Sequence, residues 1–113
     1  MQMNEMKQRV DRVEQCTDDA EQAIQSGSVP GDLRQCVDDM HQQARQAQQA
    51  CGTQQQQGDQ SRLREAVMQL EQAGDRAMAA CRKAGNTLDP RVQQAVQRAH
   101  DEASSLKRQL QMG

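Results

Sequence analysis

The chain has 113 residues, a net charge of −2, and no Phe, Tyr or Trp. Its length fits one domain, and its balanced charge lacks the basic excess that is typical of nucleic-acid-binding proteins. No apolar run approaches the ~18 residues that a membrane-spanning helix needs. We therefore expect binding to neither nucleic acid nor membrane. Without aromatic rings, which dominate pockets and interface anchors, the chain must pack and recognise with aliphatic and small side chains.

The first half of the chain has apolar residues at alternating steps of three and four, the a and d positions of a heptad repeat. This pattern predicts a first helix over about 3–25 and a second over about 33–51. A break at 26–31, which contains glycine and proline, separates them. Asp32 is the predicted N-cap of the second helix, with Gln35 as its capping-box partner.

The second half repeats the pattern and predicts helices over about 60–84 and 90–111. A polar, Gln-rich loop at 52–59 precedes the third helix. Gly85 and Asn86 follow that helix and are expected to end it, whereas Gly52 is expected to close the second helix in the left-handed conformation. Asp89 is the predicted N-cap of the fourth helix, with a proline at the first helical position after it.

Four helices of similar length joined by short connections predict an all-α, antiparallel up-down-up-down four-helix bundle that forms one domain over 1–113. The heptad g positions are mostly Ala or Cys, so three of every seven residues face inward, as in a bundle rather than a two-stranded coil. Gly74 occupies an a position, where glycine weakens a helix by ~1 kcal/mol relative to alanine. We therefore expect another helix to approach Gly74 closely.

Two of the helices resemble each other in sequence. Residues 33–37 (LRQCV) match residues 63–67 (LREAV) thirty residues later. Duplication of a helical unit and convergence of heptad helices on similar strings both explain this match.

The four cysteines lie at inward-facing positions: Cys16, Cys36, Cys51 and Cys81. In straight antiparallel hairpins the nearest pairs are about six residues out of step, or ~9 Å along the axis. A disulfide needs Cα atoms within ~7 Å, so we expect four free thiols that act as small core residues. No Cys-x-x-Cys motif indicates a zinc ribbon.

The two histidines, His41 and His100, occupy equivalent e positions of the second and fourth helices. Half-exposed boundary residues are the first interpretation. The alternative is a metal site drawn from Cys16, Cys36, His41 and His100, because Cys16 should lie at nearly the height of His41. A carboxylate-bridged dimetal centre is not expected, because no Glu-x-x-His occurs and no a or d position is acidic.

Met68 and Met78 lie outside the inward-facing positions and are the candidate partner surface. With no catalytic constellation and no cofactor motif, the leading hypothesis is a non-enzymatic bundle that acts through protein–protein interaction, as an adaptor, chaperone-like or regulatory protein. The alternative is a thiol- or metal-binding bundle. We expect a monomer, with a weak homodimer as the alternative. The N-terminal residues lack the apolar segment of a signal peptide, so the expected location is cytoplasmic.

Overall fold

The computed structural model describes the backbone of residues 3–25, 29–52 and 58–112 and the side chains of 5–25, 29–51 and 61–111. The helices are α1 (Met3–Gln25), α2 (Gly31–Gly52), α3 (Gly58–Ala84) and α4 (Pro90–Met112), with a short 3₁₀ turn at Gly85–Thr87. No strand occurs in these ranges.

The predicted all-α, up-down-up-down four-helix bundle is confirmed. Each helix packs on the next, and α1 also packs on α4, which closes the ring. The molecule measures 46 × 23 × 19 Å along its principal axes. Within the ranges described, none of the helices combines the length and the apolar character needed to span a bilayer.

The start of α2 differs from the prediction. The helix begins at Gly31, so Asp32 lies in the first turn instead of capping it. The backbone N–H of Arg34 donates a hydrogen bond of 3.1 Å to the Pro30 carbonyl. The side-chain amide of Gln35 donates one of 3.3 Å to Asp39 instead of forming a capping box. The Asp32 carboxylate still lies near the positive end of the helix dipole. Residues 26–28 of the predicted break at 26–31 and residues 53–57 of the predicted Gln-rich loop at 52–59 lie outside the described residues.

The connection between α3 and α4 follows the prediction. Gly85 has a φ of 61°, the left-handed conformation that ends a helix. The Asp89 carboxylate accepts a bond of 2.9 Å from the Arg91 amide, and its carbonyl accepts one of 3.0 Å from Val92. Leu88, which heptad analysis had not included, is buried against the core from this turn.

The core contains side chains from the a and d positions of all four helices. Its largest fully buried members are aliphatic: Val10, Val13, Ile24, Leu33, Val37, Met40, Val67, Leu70, Val92, Val96 and Leu106. The buried hydroxyl of Thr17 donates a bond of 2.8 Å to the Glu14 carbonyl, so it is satisfied within its own helix. Alanines fill the remaining positions, and such small side chains allow the helices to approach closely.

The close approach expected at Gly74 is confirmed. A Cβ atom built on Gly74 would lie 2.8 Å from Cδ2 of His100 and 3.4 Å from Cε of Met40. The first distance is shorter than van der Waals contact. The imidazole of α4 therefore packs directly on the α3 backbone, and no larger residue fits without displacing it.

Gly74→Leu should lower the free energy of unfolding by ~1–3 kcal/mol, because the new side chain must displace His100 and Met40. Urea unfolding followed by circular dichroism measures the change. Gly31→Ala is the control, since a Cβ there has nothing within 4 Å. A Gly74→Leu variant as stable as wild type would contradict the close approach.

Candidate functional site

Two polar seams run along the outside of the bundle, where paired helices bring their b and e positions together. The α1–α2 seam consists of Asp11, Glu14, Asp18, Glu21, Asp38, His41 and Gln48. The α3–α4 seam consists of Met68, Glu71, Asp75, Met78, His100 and Lys107. Each seam contains one of the two histidines, and each histidine lies beside carboxylates.

In the α3–α4 seam, Nε2 of His100 lies 2.6 Å from Oδ1 of Asp75. The Glu71 carboxylate completes a cluster in which one ligand atom from each of the three residues lies within 4.8 Å of the others. Nζ of Lys107 lies 3.8 Å from Oε2 of Glu71 on the other side. The imidazole of His100 packs on the backbone at Gly74, so packing holds the histidine beside its acidic partners.

In the α1–α2 seam, Nε2 of His41 lies 3.4 Å from Oε1 of Glu14 and 3.9 Å from Oδ1 of Asp18. This nitrogen is buried and makes no hydrogen bond with any described group. A buried polar atom without a hydrogen bond is uncommon in a folded protein and calls for an explanation. The Glu14 and Asp18 oxygens lie close to this nitrogen but form no hydrogen bond with it.

The two clusters have the same composition but different geometry, since the histidine–aspartate distance is 2.6 Å at His100 and 3.9 Å at His41. Each consists of a glutamate, an aspartate four residues later, and a histidine on the following helix. A step of 57 residues relates the acidic pair of α1 to that of α3, and a step of 59 relates the two histidines. These positions align one helical hairpin with the other by sequence spacing, whereas the thirty-residue match aligns single helices.

The flanks of the two seams differ in polarity. At the same 57-residue step, Asp11 of α1 corresponds to Met68 of α3, and Glu21 corresponds to Met78. Asp11 accepts a bond of 3.1 Å from the Gln48 amide across the α1–α2 seam. The α3–α4 seam has methionines at both flanking positions, so it is less acidic and more apolar.

The α1–α2 seam also contains a pair of neighbouring carboxyl groups, those of Glu21 and Asp38. Partial burial is the main cause that raises the pKa of Glu21 to about 7. A hydrogen bond with Asp38 and the negative charge of Asp38 raise the same pKa. The charge of Asp18 raises this pKa further, and that of Arg34 lowers it. Like charges at close range oppose the ionisation of Glu21, so this seam favours added positive charge.

The structure does not combine the cysteines with the histidines. All four cysteines are free thiols, and burial is the main cause that raises the pKa of each. Cys16 lies near the charges of Glu102 and Arg98 on α4, and Cys36 lies near Cys81. Among the described residues, no cluster of three close metal-ligating groups contains a thiol.

Met68 and Met78 have different environments. Met68 is 48% exposed, the one large apolar side chain in the described ranges with such exposure. It lies in a groove of about 320 Å³ between α3 and α4, which is lined by Arg64, Val67, Met68, Lys107, Leu110 and Gln111. Met78 is half-buried and packs against the core. A larger groove of about 720 Å³ between α2 and α3 is lined mainly by glutamines and charged residues.

Sequence reasoning identified both histidines but missed their acidic partners. The Glu-x-x-His motif lies within a single helix, whereas each of these clusters draws its carboxylates and its histidine from two helices. The available signal was Glu-x-x-x-Asp at the b and e positions of α1 and α3, followed by a histidine at e in the next helix.

No known family model, curated protein or solved structure matches the chain. The chemistry of the two seams and of the groove is therefore the basis on which a function can be argued.

Glu21→Gln should stabilise the protein relative to wild type at about pH 8 and lose this advantage towards about pH 5. Glu21 has a pKa of about 7 in the folded chain against an ordinary 4.5, so the folded state holds a proton between these values. Stability from this proton is present below the unfolded pKa and is lost as the pH rises through about 7. Urea unfolding over this range measures the difference, which should shrink in an Asp38→Asn background. A pH-independent difference would contradict the coupling.

Alkylation of the native protein should be slow and should modify Cys36 first. Cys36 is half-buried, whereas the other three cysteines are 7% exposed or less. Because the thiolate is the reactive form, a raised pKa slows every site at neutral pH. Peptide mass spectrometry after timed alkylation gives the order, and unfolding in urea should release four thiols. Faster modification of Cys51, which is 1% exposed, would contradict the structure.

Proposed function

We propose that this chain is a non-enzymatic helical bundle that acts through protein–protein interaction, with the groove around Met68 as its contact surface. The observation that carries the proposal is the exposure of Met68 at a position where the related hairpin has Asp11. An exposed methionine offers a polarizable, adaptable surface for another protein. Single exposed apolar residues are normal on a protein surface, so the groove at Met68 is what distinguishes this position as a contact surface.

The chemistry of the groove selects a partner. Met68 and Leu110 supply apolar surface above the buried Val67, and Arg64 and Lys107 supply positive charge beside it. Burial of apolar surface contributes ~25 cal/mol per Å², whereas exposed ion pairs contribute only ~0–1 kcal/mol each. The partner we propose is an amphipathic helix that carries a large apolar anchor flanked by carboxylates. Since this chain has no aromatic residue, any aromatic anchor comes from the partner.

The thiol-dependent alternative has less support. Burial raises the pKa of all four cysteines, and reactive cysteines normally have a lowered pKa and an exposed sulfur. We propose a cytoplasmic location, where thiols of this kind stay reduced. We also propose that the chain is a monomer until it meets its partner.

Met68→Glu tests this function, because it places a negative charge on the apolar surface of the groove. Gln72→Glu is the matched control, since Gln72 is exposed on the same helix and undergoes the same change in charge. Both variants should fold, as exposed substitutions usually change stability by less than about 0.5 kcal/mol. Affinity capture from an extract of the source cells, quantified by mass spectrometry, identifies proteins that wild type and Gln72→Glu retain and Met68→Glu loses.

The purified partner should then bind Met68→Glu at least about tenfold more weakly than it binds the control, which corresponds to ~1.4 kcal/mol. Equal capture by both variants would eliminate the groove as the contact surface. A concentration-independent dimer of wild type in sedimentation equilibrium, lost in Met68→Glu, would show that the occupant is a second copy of this chain.

A further inference from the structure

The carboxylate–histidine group of the α3–α4 seam has a geometry that the interaction hypothesis leaves unexplained. One ligand atom from each of Glu71, Asp75 and His100 lies within 4.8 Å of the other two. Among the described residues, no other three histidine, cysteine or carboxylate side chains come this close together. Glu71 and Asp75 are four residues apart, so their side chains leave α3 on the same face, and His100 contacts that face from α4.

The glycine that precedes Asp75 positions the imidazole. A Cβ atom on Gly74 would lie 2.8 Å from Cδ2 of His100, the ring carbon that is bonded to Nε2. Because Gly74 has no Cβ, this edge of the ring can lie against α3. Nε2 is consequently 2.6 Å from Oδ1 of Asp75, and the histidine side chain is only 21% exposed. The backbone contact is independent of the carboxylates, and it holds a nitrogen donor beside both of them.

We propose that Glu71, Asp75 and His100 form a binding site for one divalent transition-metal ion of the Zn²⁺ class. Each residue supplies one ligand atom, and three protein ligands leave a tetrahedral ion one coordination position for water. Carboxylate oxygens alone would suit Ca²⁺ or Mg²⁺, but an imidazole nitrogen shifts the preference to first-row transition ions. The site goes beyond the proposed interaction, because it requires no partner in the groove around Met68.

Small side-chain movements bring the ligand atoms to the spacing of a zinc site. Ligands at ~2.0–2.2 Å from a tetrahedral ion lie roughly 3.3–3.6 Å apart. The Asp75–His100 contact of 2.6 Å therefore has to widen by about 1 Å, and no other separation has to close by more than about 1.5 Å. Asp75 is 57% exposed and has room to rotate, whereas the contact with Gly74 keeps the imidazole in place.

The cations that compete for these ligands are weak ones. Nζ of Lys107 lies 3.8 Å from Oε2 of Glu71, so the ammonium group has to give up this contact when a metal ion binds. Partly exposed ion pairs of this kind contribute little, and a divalent ion can displace one. A proton on Nε2 of His100 also has to leave, because only the unprotonated nitrogen is a ligand.

The α1–α2 seam supplies a comparison within the same molecule. Nε2 of His41 lies 3.4 Å from Glu14 and 3.9 Å from Asp18, yet the ligand atoms of these three residues do not all lie within 4.8 Å of one another. At the 57-residue step, Gly74 of α3 corresponds to Thr17 of α1, so the glycine contact has no counterpart there. Residue types alone would predict two equivalent metal sites, whereas the geometry predicts one.

The test is a titration of the whole chain with Zn²⁺, followed by nitrogen NMR of the imidazole rings. The chain has two histidines, and their signals are assigned with His41→Gln and His100→Gln. We expect the Nε2 resonance of His100 to shift and to saturate at one equivalent of Zn²⁺, while the His41 signals stay unchanged. No shift at His100, a shift that never saturates, or equal shifts of both rings would overturn the proposal.

Two aspartates beside the same imidazole supply a matched control. Asp75 lies on the Nε2 side of His100, whereas Oδ1 of Asp101 lies 3.9 Å from Nδ1, and both aspartates are exposed. Asp75→Asn should weaken Zn²⁺ binding by at least about tenfold, whereas Asp101→Asn should change it by less than about twofold. Equal effects of the two variants would mean that Zn²⁺ responds only to net charge, and the proposed site would be wrong.

Cobalt(II) absorption tests whether the cysteines bind the metal instead, because a thiolate ligand produces an intense charge-transfer band. We expect no such band at one equivalent. Its appearance together with an unshifted His100 signal would assign the metal to the thiols and overturn the proposal. Circular dichroism of each metal-free variant checks that the helices are intact.

Discussion

The absence of aromatic side chains is the constraint on which the rest of this structure depends. A bundle core filled by alanine, valine, leucine and methionine has a small cross-section, so the helices must lie close together to exclude voids. Gly74 is the clearest consequence, because the His100 imidazole packs where a Cβ atom would be. Each small side chain buries little surface, so stability depends on the fit of the whole bundle rather than on a few large anchors.

Close packing also determines what happens at the helix edges. When paired helices approach closely, their b and e residues come within bonding distance across the seam. The Asp11–Gln48 bond and the two histidine clusters all arise in this way. Polar side chains that would be solvated on separate helices thereby form ordered, partly buried groups, and such groups are candidates for ligand binding because their positions are held by packing.

The related hairpins use this shared geometry differently. Both keep a glutamate, an aspartate and a histidine at matching positions. Around them, the first hairpin has Asp11 and Glu21, whereas the second has Met68 and Met78. This difference makes the α1–α2 seam the more acidic one and leaves an exposed apolar groove in the α3–α4 seam.

The sequence by itself determined the fold class, because heptad periodicity indicates which face of each helix is buried. Short connections between the helices then favour the up-down-up-down topology. It also determined where α3 ends and where α4 begins, because Gly85 and Asp89 act through local backbone geometry. It did not determine the start of α2, where the turn from Pro30 competes with Asp32 at neighbouring positions. Only the tertiary structure decided that Glu71 and Asp75 meet His100 and that, among the described residues, the cysteines join no such cluster. Periodicity leaves the rotation and axial offset of neighbouring helices open, and packing of the whole core selects them.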